Sequence, residues 1–238
     1  MFVEREFFVG LSDVGYENKL TNRSLLAYCE NIAGLHSDIA GLGLLDTPKT
    51  RKGWVLLNWK VKFIERPLYG TILKIKTWSK GSDKLYAYRD FEIKDQNDKL
   101  LAIVTSRWVL IDLDKRHFVK LTDIPIEELY SKENKSVFDI DFPRVEEPSN
   151  YIKTCEITVT NDLIDSNEHV HNLNYINFAN QLLDIDIENR CPNLEIMYKK
   201  ETKAGEKVKC FYSYENETHY VVIKTEDENN IHAVLSLY

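Results

Sequence analysis

The chain is expected to fold as α+β, with two copies of one unit in which a helix is wrapped by antiparallel strands. Three observations predict this: an internal duplication, helical periodicity early in each copy, and period-two alternation after it. Asn18 to Ala33 lies on Asp165 to Asn180 at an offset of 147. Val61 to Ile75 lies on Ile196 to Cys210 at 135, and Phe91 to Val104 on Val222 to Leu235 at 131. Identities are few, but the order is the same and the offset shrinks smoothly, as it does when loops shorten between copies. The first match pairs Tyr28 with Tyr175, and the second pairs Gly70 with Gly205.

Leu25, Cys29, Ile32, Ala33 and His36 fall on one helical face in the first copy, and Leu173, Ile176, Ala179 and Leu183 in the second. Ser24 or Asn22, and Asn172, are the candidate N-caps. Trp59, Val61 and Phe63 alternate with Lys60 and Lys62, and Leu73 and Ile75 with Lys74 and Lys76, as in strands with one wet and one buried face. Between Tyr88 and Phe91 the alternation changes parity, which fits either a bulge or a strand buried on both faces. Residues 122–150 are acidic and polar and carry Pro125, Pro143 and Pro148, the composition of a linker. The expected boundaries are a first unit over 1–123, a linker over 124–150 and a second unit over 151–238. With the two sheets joined edge to edge and both helices on one face, this is an α+β double hotdog.

A chain of 238 residues that is 43% hydrophobic and 29% charged is neither disordered nor fibrous. Its 31 Lys and Arg against 38 Asp and Glu leave a net charge of −7, with no general attraction for phosphate backbones or anionic lipid. Nucleic acid is not expected as a partner. Cys29, Cys155, Cys191 and Cys210 lack Cys-x-x-Cys spacing, so neither a zinc site nor a disulfide framework is expected. The stretch from Leu100 to Ile111 is interrupted by Ser106 and Arg107, and falls short of the roughly 20 apolar residues of a membrane span. The first residues show no secretory pattern, so a cytoplasmic location and no stable membrane insertion are expected.

The densest polar cluster, Asp165-Ser-Asn167-Glu-His169-Val-His171-Asn172, precedes the second helix. There, side chains stand beside free backbone N–H groups, where developing negative charge is stabilised. An ordinary Asx turn and cap is the competing account. By the first offset, Asn18, Leu20 and Asn22 of the first copy stand for Asp165, Asn167 and His169, so only one copy holds the titrating groups. Likewise Arg66 stands where the second copy has Glu201. His169 and His171 at i,i+2 splay apart with no third ligand nearby, so no metal is expected. His36, His117, His219 and His232 read as structural or exposed. Trp54, Trp59, Trp78 and Trp108 read as core, or in the first copy as lining of an apolar tunnel.

These residues resemble the fatty acyl-acyl carrier protein (acyl-ACP) thioesterases of plants and bacteria. The motif Asp-x-Asn-x-His-Val-Asn-Asn with a Tyr three residues on matches Asp165, Asn167, His169, Val170, Asn172 and Tyr175. Gly53-Trp54-Val55, Trp59-Lys60-Val61, Pro67, Gly70, Thr77-Trp78, Arg89-Asp90-Phe91, Ser106-Arg107-Trp108-Val109 and Ile124-Pro125 follow in the family's order, nearly the length of the chain. The resemblance implies hydrolysis of the thioester between a fatty acyl chain and ACP, releasing free fatty acid and ending elongation, without a cofactor.

Carried over residue by residue, the family's catalytic set falls on Asp165, Asn167, His169 and Glu201. Plant members have a Cys just after that Glu, where this chain has Thr202, which closes a cysteine-based route. His171 replaces the first Asn of the usual pair. On this reading Glu201 is the general base, sharing the water with His169, and either one takes the proton. Asn167 positions the water or carbonyl, Asp165 orients its neighbours, and backbone N–H groups near His171 and Asn172 polarise the thioester oxygen. The first copy is left to enclose the acyl chain, with Trp54, Leu56, Trp59, Leu26 and Ile32 as lining candidates. Lys199, Lys200, Lys203, Lys207 and Lys209 form either a docking patch for the acidic carrier or the charged guard of an edge strand. An acyl-CoA thioesterase, an enoyl-thioester hydratase and a non-catalytic acyl-thioester binder are the alternatives, as monomer or homodimer.

Overall fold

In the computed structural model, residues 2–130, 133–139, 142 and 146–238 are described. The chain begins with β1 (Phe2–Phe8), then α1 (Asn22–Ile39), the single-turn α2 (Thr47–Thr50) and β2 (Lys52–Phe63). Strands β3 (Ile72–Ser82), β4 (Tyr86–Lys94), β5 (Leu100–Asp112) and the two-residue β6 (His117–Phe118) follow, then α3 (Ile126–Tyr130). The second half runs β7 (Lys153–Thr158), α4 (Asn174–Asn180), α5 (Ile187–Arg190), β8 (Asn193–Tyr198), β9 (Lys207–Glu215), β10 (Thr218–Thr225) and β11 (Ile231–Leu237). Every strand pair is antiparallel, in the order β1-β3-β4-β5-β2-β8-β11-β10-β9-β7, with β6 on β5. The order is a palindrome of two like halves, joined where β2 meets β8. The chain is an α+β double hotdog.

The expected face of α1 is buried throughout, from Leu25 to His36. It shares one apolar core with Ile176 and Ala179 of α4, so the two units are packed as one body. The cap of α1 is Thr21, not Ser24 or Asn22: its Oγ1 accepts from Ser24 N at 3.1 Å. The second helix is shorter than the periodicity suggests. It starts at Asn174 after Leu173 rather than on an Asn172 cap, and Leu183 lies beyond its end. The parity change in β4 comes from burial on both faces, since Arg89, Asp90 and Phe91 are all buried. β4 itself has no bulge from Tyr88 to Phe91; the register slip lies in β3, between Ser79 and Gly81, where Gly81 takes φ +117°.

The segment after β6 is more than a tether. Ile126 and Tyr130 of α3 are buried against Leu110, Leu121 and Ala40, Trp78 Nε1 donates to Lys135 O, and Val137 N donates to Asp90 Oδ2. Pro143, one of its expected markers, lies outside the described residues. Cys29, Cys191 and Cys210 are buried thiols and Cys155 is half-buried, none of them in a disulfide. Among the described residues no helix is long and apolar enough to cross a membrane.

At the seam, Lys60 stands opposite Glu195, with Nζ 3.3 Å from Oε1, and the same oxygen accepts from Tyr238 OH at 2.9 Å. Both side chains are largely buried. Glu195→Leu is therefore expected to cost about 3 kcal/mol, because it strands the Lys60 ammonium and the Tyr238 hydroxyl. Adding Lys60→Leu should return a good part of that, as chemical denaturation will show; additive losses would contradict the coupling.

Candidate active site

Two backbone bonds build the same scaffold in each copy. Val170 N donates to Thr202 O and Leu20 N to Pro67 O, both at 2.8 Å, tying the loop before the helix to the turn after the first long strand. Gly205 N donates to Val159 O and Gly70 N to Val9 O, both at 2.9 Å, with the glycines at φ +82° and +85°. The turn offset of 135 is therefore the structural one. The loop offset is not 147 but 150, because Val14–Leu20 and Ile164–Val170 form the same bridge. The first-copy equivalents of Asp165, Asn167 and His169 are thus Gly15, Glu17 and Lys19, not Asn18, Leu20 and Asn22. Tyr175 stands for Leu25, so its match with Tyr28 was a coincidence of sequence.

In the second copy this scaffold brings His169 to Glu201, with Nε2 3.0 Å from Oε2. The Glu201 side chain is 60% exposed and that of His169 24%, so one side of the pair faces solvent. Asp165 organises the loop: its Oδ1 accepts from Asn167 N at 2.8 Å and His169 N at 3.3 Å, and its own N–H donates to His169 O. The Asx turn and the charged site coexist. Glu168, at φ +65°, makes the reversal that turns His169 inward, as Asn18 at φ +55° does in the first copy. Asn167 is exposed at the loop tip. Asn172 is half-buried, and its carbonyl accepts from Tyr198 OH at 3.1 Å.

The backbone donors divide sharply. His171 N is spent on Leu163 O at 3.0 Å, whereas Asn172 N has no partner among the described residues. At the same place in the first copy, Asn22 N is occupied by Glu188 Oε2 at 2.9 Å. Arg66, standing for Glu201, closes over that position. Its guanidinium donates to Leu20 O, Asn22 Oδ1 and Glu188 O, stacks on Phe63, and is pushed down to about 10 by burial. A carboxylate oxygen from α5 thus sits on one copy's N–H, and the other copy's N–H is open.

Beneath Glu201 runs a buried chain that sequence reasoning did not single out. Tyr175 OH and Thr202 Oγ1 are 2.8 Å apart, as are Thr202 Oγ1 and His232 Nδ1, and Lys200 O lies 3.1 Å from the same nitrogen. Thr202 is fully buried. The first copy has Leu25, Pro67 and Leu101 at these places, so the chain belongs to one copy only. The signal was the contrast between the repeats, once correctly aligned. His36, by contrast, is a core residue: its Nδ1 meets Arg89 Nη1 at 2.8 Å, and burial and the guanidinium push it down to about 3.

Across the junction of the units, Glu30 of α1 faces this loop, with Oε2 3.4 Å from His171 Nε2. Burial pushes the Glu30 carboxyl up to about 8; Arg23 opposes the rise and Asp165 adds to it. His171 is pushed down by burial.

Of the expected lining residues, Leu26, Ile32, Leu56 and Trp59 are buried in the shared core. Trp54 packs instead on Tyr130 in a smaller cluster at the C-terminal end of α1. Of the lysines, Lys207 pairs with Glu156 and Glu226, and Lys209 with Glu228. Lys199, Lys200 and Lys203 are exposed with no ion pair among the described residues. The edge-guard account fails for Lys207 and Lys209, since β9 lies between β7 and β10.

Residues 2–129 match the acyl-ACP thioesterase N-terminal domain and residues 146–236 the C-terminal domain. The chain belongs to the acyl-ACP thioesterase family. The chloroplastic oleoyl-acyl carrier protein thioesterase of Coriandrum sativum is 23% identical over 242 residues, covering 93% of this chain and 65% of that protein. The chloroplastic palmitoyl-acyl carrier protein thioesterase of Arabidopsis thaliana is 21% identical, over 83% of this chain and 51% of that protein. The chain thus spans between a half and two thirds of the length of these relatives. An acyl-ACP thioesterase from Bacteroides thetaiotaomicron shares the fold with a TM-score of 0.87 at 20% identity, over 99% of this chain and 96% of that one. The 12:0-ACP thioesterase from Umbellularia californica does so with 0.84 at 17%, over the same shares.

The Glu30 environment predicts a pH dependence. A carboxyl whose folded-state value lies above its unfolded one costs stability as pH rises from about 4.5 to about 8. Glu30→Gln should abolish that loss, so its advantage over wild type grows across this window by up to about 1.4 kcal/mol per pH unit and is then constant. Denaturation at pH 5, 7 and 9 checks this; parallel curves would contradict it.

Proposed function

We propose that the protein hydrolyses fatty acyl-ACP, releasing free fatty acid and so ending chain elongation. The observation that carries this is the asymmetry of the copies: His169 and Glu201 lie 3.0 Å apart, and three residues after His169 the Asn172 N–H has no partner among the described residues. The equivalent place in the first copy is filled by Glu188 and Arg66. Acyl binding is assigned to the first unit, residues 1–123, and catalysis to the second, 151–238, with 124–150 connecting them. Leu26, Ile32, Leu56 and Trp59, between α1 and β2, are the assigned lining, with Trp54 farther along.

A thioester carbonyl is reactive enough that an oriented water, a base and a polarised oxygen suffice. Glu201, whose Oε2 faces His169, takes a proton from water through its other oxygen as the water oxygen attacks the carbonyl carbon. The carbonyl oxygen becomes an oxyanion, for which Asn172 N–H is the assigned donor, in the place where Asn22 N–H already holds a carboxylate oxygen. Collapse breaks the C–S bond, the carboxylic acid leaves, and the proton held by Glu201 passes to the carrier's thiolate. His169 stabilises the charge on Glu201, Asp165 fixes the loop, and Asn167 at the exposed tip positions the incoming water or carbonyl. Thr202 takes no covalent part, since its hydroxyl is buried between Tyr175 and His232.

The carrier is assigned to the face of Lys199, Lys200 and Lys203, with Lys207 already paired within the chain. Lys199 and Lys203 stand where the first copy has the exposed Ile64 and Leu68, so the cationic face belongs to the catalytic copy.

Glu201→Ala and His169→Ala should each lower kcat by roughly 10²-fold, measured as thiol release from acyl-ACP and acyl-CoA of several chain lengths. Full turnover in either folded variant would contradict the assignment. Faster turnover of CoA than of ACP thioesters would favour an acyl-CoA thioesterase, and binding without thiol release a non-catalytic binder. Reversing Lys199 and Lys203 to Glu should raise KM for acyl-ACP at low salt and leave acyl-CoA little changed; an unmoved KM would remove the docking face.

A further inference from the structure

Asn172, whose N–H is the assigned donor, is bracketed by two side chains. Tyr198 OH donates to its carbonyl at 3.1 Å, and the preceding residue, His171, accepts from Leu173 N at Nδ1 at 3.4 Å. With Nδ1 accepting, the neutral ring carries its proton on Nε2, which faces Glu30 Oε2 at 3.4 Å. The same Glu30 acts on Tyr198, whose hydroxyl is held far above its ordinary range by burial, with Glu30 adding to the rise. The Glu30 carboxyl of the N-terminal unit therefore faces His171 directly and acts through space on Tyr198, the two groups that flank Asn172. Arg23 of α1 and Asp165 of the loop are the other charges around it.

The first copy shows that the fold does not require this arrangement. Thr21, Phe63 and Asn180 occupy the places of His171, Tyr198 and Glu30, yet the loop, turn and helix form with the same backbone bonds. The three polar groups occur together only where the N–H is open. We propose that Glu30 is a positioning residue for the reaction of the second unit, acting through His171 to hold the Asn172 N–H in place for the thioester oxygen. This rests on the hydrolase reading above. It also gives the first unit a part in the chemistry besides enclosing the acyl chain.

The test uses the full chain, octanoyl- to stearoyl-ACP as substrates, and thiol release as the readout. Glu30→Ala should lower kcat about ten- to a hundredfold while KM stays within about twofold, as expected for a misplaced donor. Glu30→Gln, which keeps an acceptor for His171 Nε2–H, should recover most of kcat. His171→Asn should remove the effect, so that adding Glu30→Ala to it costs little more. Independently of activity, the ring-nitrogen NMR signals of His171 should report a proton fixed on Nε2 in wild type and an averaged state in Glu30→Ala. A folded Glu30→Ala protein with normal kcat, or a loss of kcat that Glu30→Gln does not relieve, would overturn the role while leaving the hydrolase intact. A wild-type protein that releases no thiol from any of these substrates would overturn the hydrolase reading and this role with it.

Discussion

One backbone hydrogen bond in each copy sets the geometry on which the site depends. Val170 N to Thr202 O, and Leu20 N to Pro67 O, hold the loop before the helix against the turn between two strands at the same 2.8 Å. Residues on either side of that bond hold equivalent places in the two copies whatever their identity. In the second copy they are His169 and Glu201; in the first they are Lys19 and Arg66. The scaffold is thus indifferent to chemistry, and the side chains placed on it decide whether the position is a site or a brace.

The two outcomes share one logic. A helix-side backbone N–H left open must find an oxygen. In the first copy Glu188 supplies it from α5, and Arg66 donates to the Glu188 backbone carbonyl, so the position becomes a tie between the units. In the second copy the N–H of Asn172 has no partner among the described residues, while Tyr198 holds its carbonyl, His171 caps Leu173 N, and Tyr175, Thr202 and His232 are bonded in a chain beneath Glu201. Hydrogen-bonded surroundings and one unfilled donor are what a polarising group needs. The junction through β2 and β8 makes this division workable, since it packs α1 close enough to α4 for Glu30 to reach the other unit's loop.

Much of this was legible in the sequence because it rested on local chemistry or on strict period. The lysine-apolar alternation of β2 and β3, the buried face of α1 and the paired glycines Gly70 and Gly205 all lie where the pattern predicts. The cluster from Asp165 to His169 and its partnership with Glu201 followed from motif and duplication together. What escaped was long-range or depended on alignment. A chance tyrosine match drew the loop three residues out of register, which hid that Lys19 and Leu25 stand in the places of His169 and Tyr175. Glu30 and Glu188 were invisible because each acts on the opposite unit, across contacts that no periodicity encodes. The cap of α1 lies at Thr21 rather than at Asn22 or Ser24, since all three are chemically fit to cap and only the backbone chooses.

The central claim is that the open N–H of Asn172, and not its plugged counterpart at Asn22, receives the thioester oxygen. The most direct measurement is a crystal structure with a ketone analogue of an acyl-ACP thioester, in which a CH2 replaces the sulfur and cannot be cleaved. The account predicts the ketone oxygen about 3 Å from Asn172 N, beside His169 and Glu201, with Glu188 still seated on Asn22 N. A ketone oxygen bound at the first copy, or one held away from Asn172 in the second, would contradict it.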